Sequence, residues 1–172
     1  PGAYRLLDAR QGARVFFTGG VYDFEAVAAE SGVSLLFDAA TDLRVAGRFA
    51  SGPDTVVAPS PGALITAADV VFFVAGANQV ALTRGSSLAA AELGVRNQVR
   101  ANFYVPNGTL QIKNDAEAVG AFLGRDLEIG PHATLSLQSA FFNRAPVARD
   151  DSASGVRGGT ITLLDSGEAS VL

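Results

Sequence analysis

Residues 101–137 read ANFYVPNGTLQIKNDAEAVGAFLGRDLEIGPHATLSL, and the stretch repeats itself. Phe103 and Val105 are followed 18 residues later by Ala121 and Leu123, and Leu110 and Ile112 are followed 17 residues later by Leu127 and Ile129. The spacing of two inside each pair places both side chains on one side of a strand. Turn formers separate the pairs: Pro106-Asn107-Gly108, Lys113-Asn114-Asp115, Gly124-Arg125-Asp126 and Gly130-Pro131. Apolar pairs that recur at a short fixed step, with a turn after each, fit a parallel β-solenoid. In such a coil each rung buries its apolar residues on those of the next. This register predicts that Leu110/Ile112, Leu127/Ile129 and Leu135/Leu137 are buried, with Gln111, Glu128 and Ser136 pointing out.

Working outward, the same pattern weakens but persists. Val15-Phe16-Phe17, Thr18-Gly19-Gly20 and Val21 to Phe24 read as strand, turn, strand, and Val33 to Phe37 and Leu43 to Phe49 continue the series. Glu25 to Glu30 has helical propensity over a single short turn. Ser51 to Gly62 carries three prolines and reads as a surface loop. Aligning Val80/Leu82 with Leu110/Ile112 gives a step of 30, so about thirteen residues beyond one rung must be accommodated. Ser87 to Arg100, with Leu88 to Leu93 as a capped helical turn, is expected to leave the wall and supply them. After Phe141-Phe142-Asn143 the character changes. A polar, Gly-rich linker leads to Thr160-Ile161-Thr162-Leu163-Leu164, a strong strand former that needs a partner strand.

Composition narrows the function classes. The chain has 172 residues, 17% of them charged, with 19 Gly and a formal net charge of −4. This fits one β-rich body with many tight turns and not a disordered chain. The 13 basic residues are scattered, which argues against nucleic acid. The absence of Cys removes disulfides, thiolate nucleophiles and cysteine metal sites. The longest apolar run, Val70 to Ala75, is far shorter than a membrane span. Pro1 in place of an initiator Met suggests a processed or externally defined start, as signal-peptide removal would give.

Two stretches resemble a known group. Phe16 to Phe24 (FFTGGVYDF) is similar to the opening of bacterial cell-surface β-helix domains, and Asn102 to Leu137 is similar to the rungs of polymer-forming bactofilins. The resemblance implies a right-handed parallel β-helix on the outside of a bacterium, and it brings no catalytic residues. Asn143 to Ser152 (NRAPVARDDS) resembles the linker that opens bacterial cadherin-like or immunoglobulin-like repeats, although too few residues follow for such a domain.

Candidate chemistry is sparse. His132, the only histidine, follows Pro131 in a turn, with no serine elbow to pair with, and is read as a turn residue. Asp126 and Glu128 lie two apart on one strand, about 6.6 Å by strand rise, which an inverting hydrolase permits. Alternation with Leu127 and Ile129 is equally the mark of a solvated strand face, and that reading is preferred. Asp150-Asp151 lacks the companion oxygens of a calcium loop, and Gly19-Gly20 and Gly158-Gly159 lack the Lys of a phosphate loop.

The sequence therefore predicts an all-β protein: a right-handed parallel β-helix over residues 1–143 and an extended C-terminal strand segment over 144–172. The expected role is a non-enzymatic, extracellular or cell-surface structural subunit that forms a homopolymeric filament or layer by strand exchange. Thr160, Ile161, Thr162, Leu163 and Leu164 are the expected interface. The linker Ala145 to Gly159 reaches roughly 50 Å when extended. No cofactor or metal is expected, and neither nucleic acid nor a membrane span. The alternatives are a β-helix that binds or cleaves a surface polysaccharide and the stalk domain of an adhesin.

Overall fold

A computed structural model describes residues 1–80 and 87–141 of the chain. These residues form a parallel β-solenoid of six rungs. The first rung holds β1 (Gly2–Ala9) and β2 (Arg14–Phe17), and the second β3 (Gly20–Ala29) and β4 (Ser34–Phe37). The third holds β5 (Thr41–Val45), β6 (Phe49–Ser51) and β7 (Val56–Pro59). The fourth opens with a short 3-10 turn (Ala67–Asp69) and β8 (Val70–Val74). It then carries a hairpin of β9 (Gln79–Val80) with β10 (Ser87–Leu88), and closes with β11 (Ala91–Leu93) and β12 (Gln98–Arg100). The fifth is β13 (Asn102–Ile112) with β14 (Glu117–Gly120), and the sixth is β15 (Phe122–Ile129) with β16 (Thr134–Leu137).

Stacking these rungs makes three walls. The long strands β3 and β13 each pair with two shorter strands, β5 and β6 in one case and β8 and β11 in the other. The sheet is therefore bent along its length into a first and a second wall. Strands β2, β4, β7, β12, β14 and β16 form the third. At the bend the rungs approach closely: a Cβ on Gly76 would stand 2.1 Å from the Gly47 carbonyl oxygen, so no side chain fits there.

Inward residues run in columns parallel to the solenoid axis. On the first wall Leu43, Phe72 and Phe103 occupy one column, and on the second Val27, Phe49, Ala91 and Leu110 occupy another. On the third wall Leu35, Val57, Val99 and Ala118 do the same. Aromatic rings fill the centre. Phe72 stacks on Phe103 at 4.4 Å and 5° and meets Phe49 edge-on at 5.2 Å, while Phe37 stacks on Phe17 at 4.9 Å. Buried amides finish the corners. Asn97 donates to Ser51 Oγ at 2.6 Å and accepts from the Thr55 N–H at 3.0 Å. Asn102 donates to the Ala67 carbonyl at 2.5 Å and accepts from Ala121 N–H at 2.9 Å.

The corner between the second and third walls repeats one backbone device. Gly12, Gly32, Asp54, Arg96, Asp115 and His132 all have positive φ, between 55° and 72°. Each of the first five donates its N–H to the carbonyl just before the equivalent residue of the next rung, at 2.9 to 3.1 Å. In the later rungs the side chains at these positions meet in pairs. Arg96 donates to both Asp54 oxygens at 2.7 and 2.8 Å, and His132 Nδ1 lies 3.3 Å from Asp115. Hydrogen bonds from Arg96, with the guanidinium charge added, hold the Asp54 carboxyl below its ordinary value of 3.8.

Four sequence expectations need correction. Glu25 to Ala29 is not helical but the second half of β3, because Val27 and Ala29 alternate inward against Phe49 and Ser51. The Pro-rich loop Ser51 to Gly62 contains β7, whose Val57 is fully buried in the third wall. Ser87 to Arg100 is not an excursion as a whole: β11 and β12 are wall strands, and only its start, with Ser87 and Leu88 paired to β9, lies off the walls. The added residues of rung four lie instead in the segment from Ala75 to Ala90, which includes the hairpin. The 17-residue step of Leu110/Ile112 onto Leu127/Ile129 holds, but Phe103 pairs with Phe122, a step of 19, not with Ala121. The offset is absorbed by a bulge between Val105 and Thr109, where Asn107 Nδ2 reaches the Ala75 carbonyl at 2.9 Å.

Two outcomes follow. Phe72→Ala is expected to cost about 3–5 kcal/mol in chemical denaturation, because a fully buried ring would leave a cavity among three others. A depressed carboxyl stabilises the fold above its unfolded value, and that contribution is lost as pH falls through the lower folded value. Melting temperature followed from pH 6 downward should therefore drop in acid, and Arg96→Gln should make that acid limb shallower.

Candidate functional site

The sixth rung is one of the two ends at which the repeating interaction stops, the other being the first rung. β15 and β16 pair on one edge with β13 and β14. Their other edge has no partner strand among the described residues. Strand alternation still points Leu127, Ile129, Leu135 and Leu137 inward, in the columns begun by Leu110, Ile112, Ala118 and Gly120. Leu110 and Ile112 are 0% exposed, whereas Leu127 is 44% and Ile129 52% exposed. Leu135 and Leu137 are exposed as well. The expectation that these four are buried is thus overturned although their register is right: an inward residue is covered only by a following rung, and none is described beyond β16. The rung combines an apolar surface with a row of backbone donors and acceptors that no strand among the described residues pairs, which is chemically a template for another strand.

After β16 the described chain turns away from this edge. The Gln138 N–H donates to the Gly120 carbonyl at 3.2 Å and the Ala140 N–H to Asn102 Oδ1 at 3.0 Å. Phe141 then lies against the ring of Tyr104, an outward residue of the first wall, with centroids 6.2 Å apart. The segment that follows, including the expected interface Thr160, Ile161, Thr162, Leu163 and Leu164, lies outside the described residues, as do Asp150-Asp151 and Gly158-Gly159.

The polar candidates take ordinary places. Glu128 accepts from Gln111 Nε2 at 2.8 Å on the outer face. Asp126 is held by its neighbour Arg125 at 2.8 to 3.0 Å, and Arg125 also reaches the Asn107 carbonyl. His132 sits at φ 60° in the corner turn, with an exposed ring. Gly19 and Gly20 have φ of 101° and 90° and shape the turn into β3. Among the described residues no group of three or more His, Cys, Asp or Glu side chains converges on a metal position, and no helix is long and apolar enough to cross a membrane.

What the sequence reading missed was the exposure of the end rung. Period tells which side a residue faces, not whether another rung covers it. Comparisons of the whole chain with family models, curated proteins and solved structures returned no significant match.

Leu127→Asp is expected to leave the far-ultraviolet circular dichroism spectrum unchanged and to lower stability only mildly. A half-exposed position leaves the new carboxylate in water, whereas the same change at fully buried Leu110 should unfold the body.

Proposed function

We propose that the protein is a structural subunit that self-associates through its sixth rung, the free edge of β15 and β16 accepting a strand donated by another copy. The donated strand is Thr160 to Leu164. The observation that carries this reading is the coincidence of an unpaired strand edge with the exposed inward residues Leu127, Ile129, Leu135 and Leu137. Strand addition to an exposed sheet edge draws affinity from backbone bonds and specificity from alternate side chains. TITLL alternates Thr with Ile and Leu, so Ile161 and Leu163 would cover the apolar columns while the threonines face water. The strand begins 19 residues after Phe141, an extended reach of about 60 Å, enough to span to a neighbouring molecule. A contact between a surface and a different surface of the next copy does not close on itself and therefore propagates. The similarity of Asn102 to Leu137 to bactofilin rungs supports a polymer on the outside of a bacterial cell, with an adhesin stalk as the related alternative. In this reading the C-terminal segment is a connector and not the first strand of a cadherin-like repeat.

Deletion of residues 144–172 tests the proposal. The shortened protein should keep its β spectrum and melting transition yet sediment as a monomer under conditions where the full chain forms filaments visible by negative-stain microscopy. Equal assembly of both would sink strand donation.

A further inference from the structure

The outer face of the first wall carries a second feature, which the assembly reading does not use. Alternation in β3, β5, β8 and β13 points Asp23, Arg44, Phe73 and Tyr104 outward, and the register sets them side by side in one line. Neighbouring members are one strand apart, about 4.8 Å. Asp42 lies two residues before Arg44 on the same face. Together with Ala46 and Ala75 at the bend, Asp23, Asp42, Arg44 and Phe73 line an open recess of about 440 Å³. Phe73 meets Tyr104 edge-on at 6.4 Å, so the aromatic surface continues past the recess along the axis.

Three charged groups share this recess without neutralising one another: among the described residues neither Asp23 nor Asp42 forms an ion pair with Arg44. A recess of this size, part aromatic and part polar, has the character of a small-molecule site. The charge pattern selects the ligand. An acidic molecule would meet two carboxylates for one guanidinium. An apolar molecule would strip water from all three charges with nothing in return. Hydroxyl groups satisfy both signs at once, donating to the carboxylates and accepting from the guanidinium in charge-assisted bonds. The less polar face of a sugar ring packs on Phe73. The line from Asp23 to Tyr104 runs across rungs, so an extended chain of sugars would lie along the axis of the solenoid.

We infer that this recess is a binding site for a neutral polysaccharide, with Phe73 as the stacking platform and Asp23, Asp42 and Arg44 as hydroxyl partners. Affinity electrophoresis of the full chain through gels containing a soluble neutral glucan or mannan, polygalacturonate, or chitosan tests it. A neutral glycan should retard the protein while polygalacturonate and chitosan do not. Phe73→Ala should weaken retardation by about tenfold or more, and Asp42→Asn, which preserves side-chain volume, should weaken it as well. Melting temperature should stay near the parent value for Asp42→Asn, and sedimentation should be unaltered in both variants, which separates this site from assembly. Retardation by no neutral glycan, stronger retardation by polygalacturonate or chitosan, or neutral-glycan binding unaltered in both variants would overturn the inference.

Discussion

Burial in this protein is a property of neighbours. No rung has an interior of its own: Phe72 is covered because Phe37, Phe49 and Phe103 stand around it, and Val99 because β7 and β14 flank β12. The stacking contact between successive rungs is therefore the single interaction from which the rest derives. It fixes the columns, sets which residues can be large, and explains why a residue of unchanged type and orientation passes from buried at Leu110 to half-exposed at Leu127.

Stacking alone would not hold register, because a column of apolar side chains slides easily. The corners supply the discrimination. A left-handed residue recurs in each rung, and its N–H finds the same carbonyl of the next. Four of the six are not glycine, so a backbone conformation that costs most residues free energy is accepted where the ladder of bonds returns it. Asn97 and Asn102 add bonds whose geometry fails if a rung shifts by one residue.

The legibility of the fold tracks this division. The step between Leu110/Ile112 and Leu127/Ile129 could be read because a short, unembellished corner separates two strands of matching pattern. The step from Phe103 was misread by one residue because the bulge after Val105 changes the count inside a single strand, and no composition signal marks it. Rung four was hardest. Its corner residue Arg96 follows Asp54 by 42 positions, against 17 to 22 elsewhere, and its second-wall strand, Ala91-Glu92-Leu93, is short and follows two further alanines. Ala91 is small because Phe49 and Leu110 take the space on either side, yet in sequence SLAAAELG reads as helix. The recess on the first wall was invisible for another reason. Asp23, Asp42, Arg44 and Phe73 belong to three rungs, and only the register brings them together.

The seam between rungs three and four has a mechanical meaning. Backbone bonds between rungs point along the solenoid axis, so tension applied end to end bears on the rung interfaces in series, and the thinnest one sets the strength of the whole. Between rungs three and four, β5 and β8 share five residue pairs on the first wall, but β11 meets β6 through only two and β12 meets β7 through two. Side chains reinforce this place: Glu92 binds Arg48 of the rung before and Lys113 of the rung after, and Ser51 joins Asn97 and the Glu92 carbonyl. Glu92 is thus a rivet through three consecutive layers, set on the second wall, where the ladder to the rung before narrows to two residue pairs.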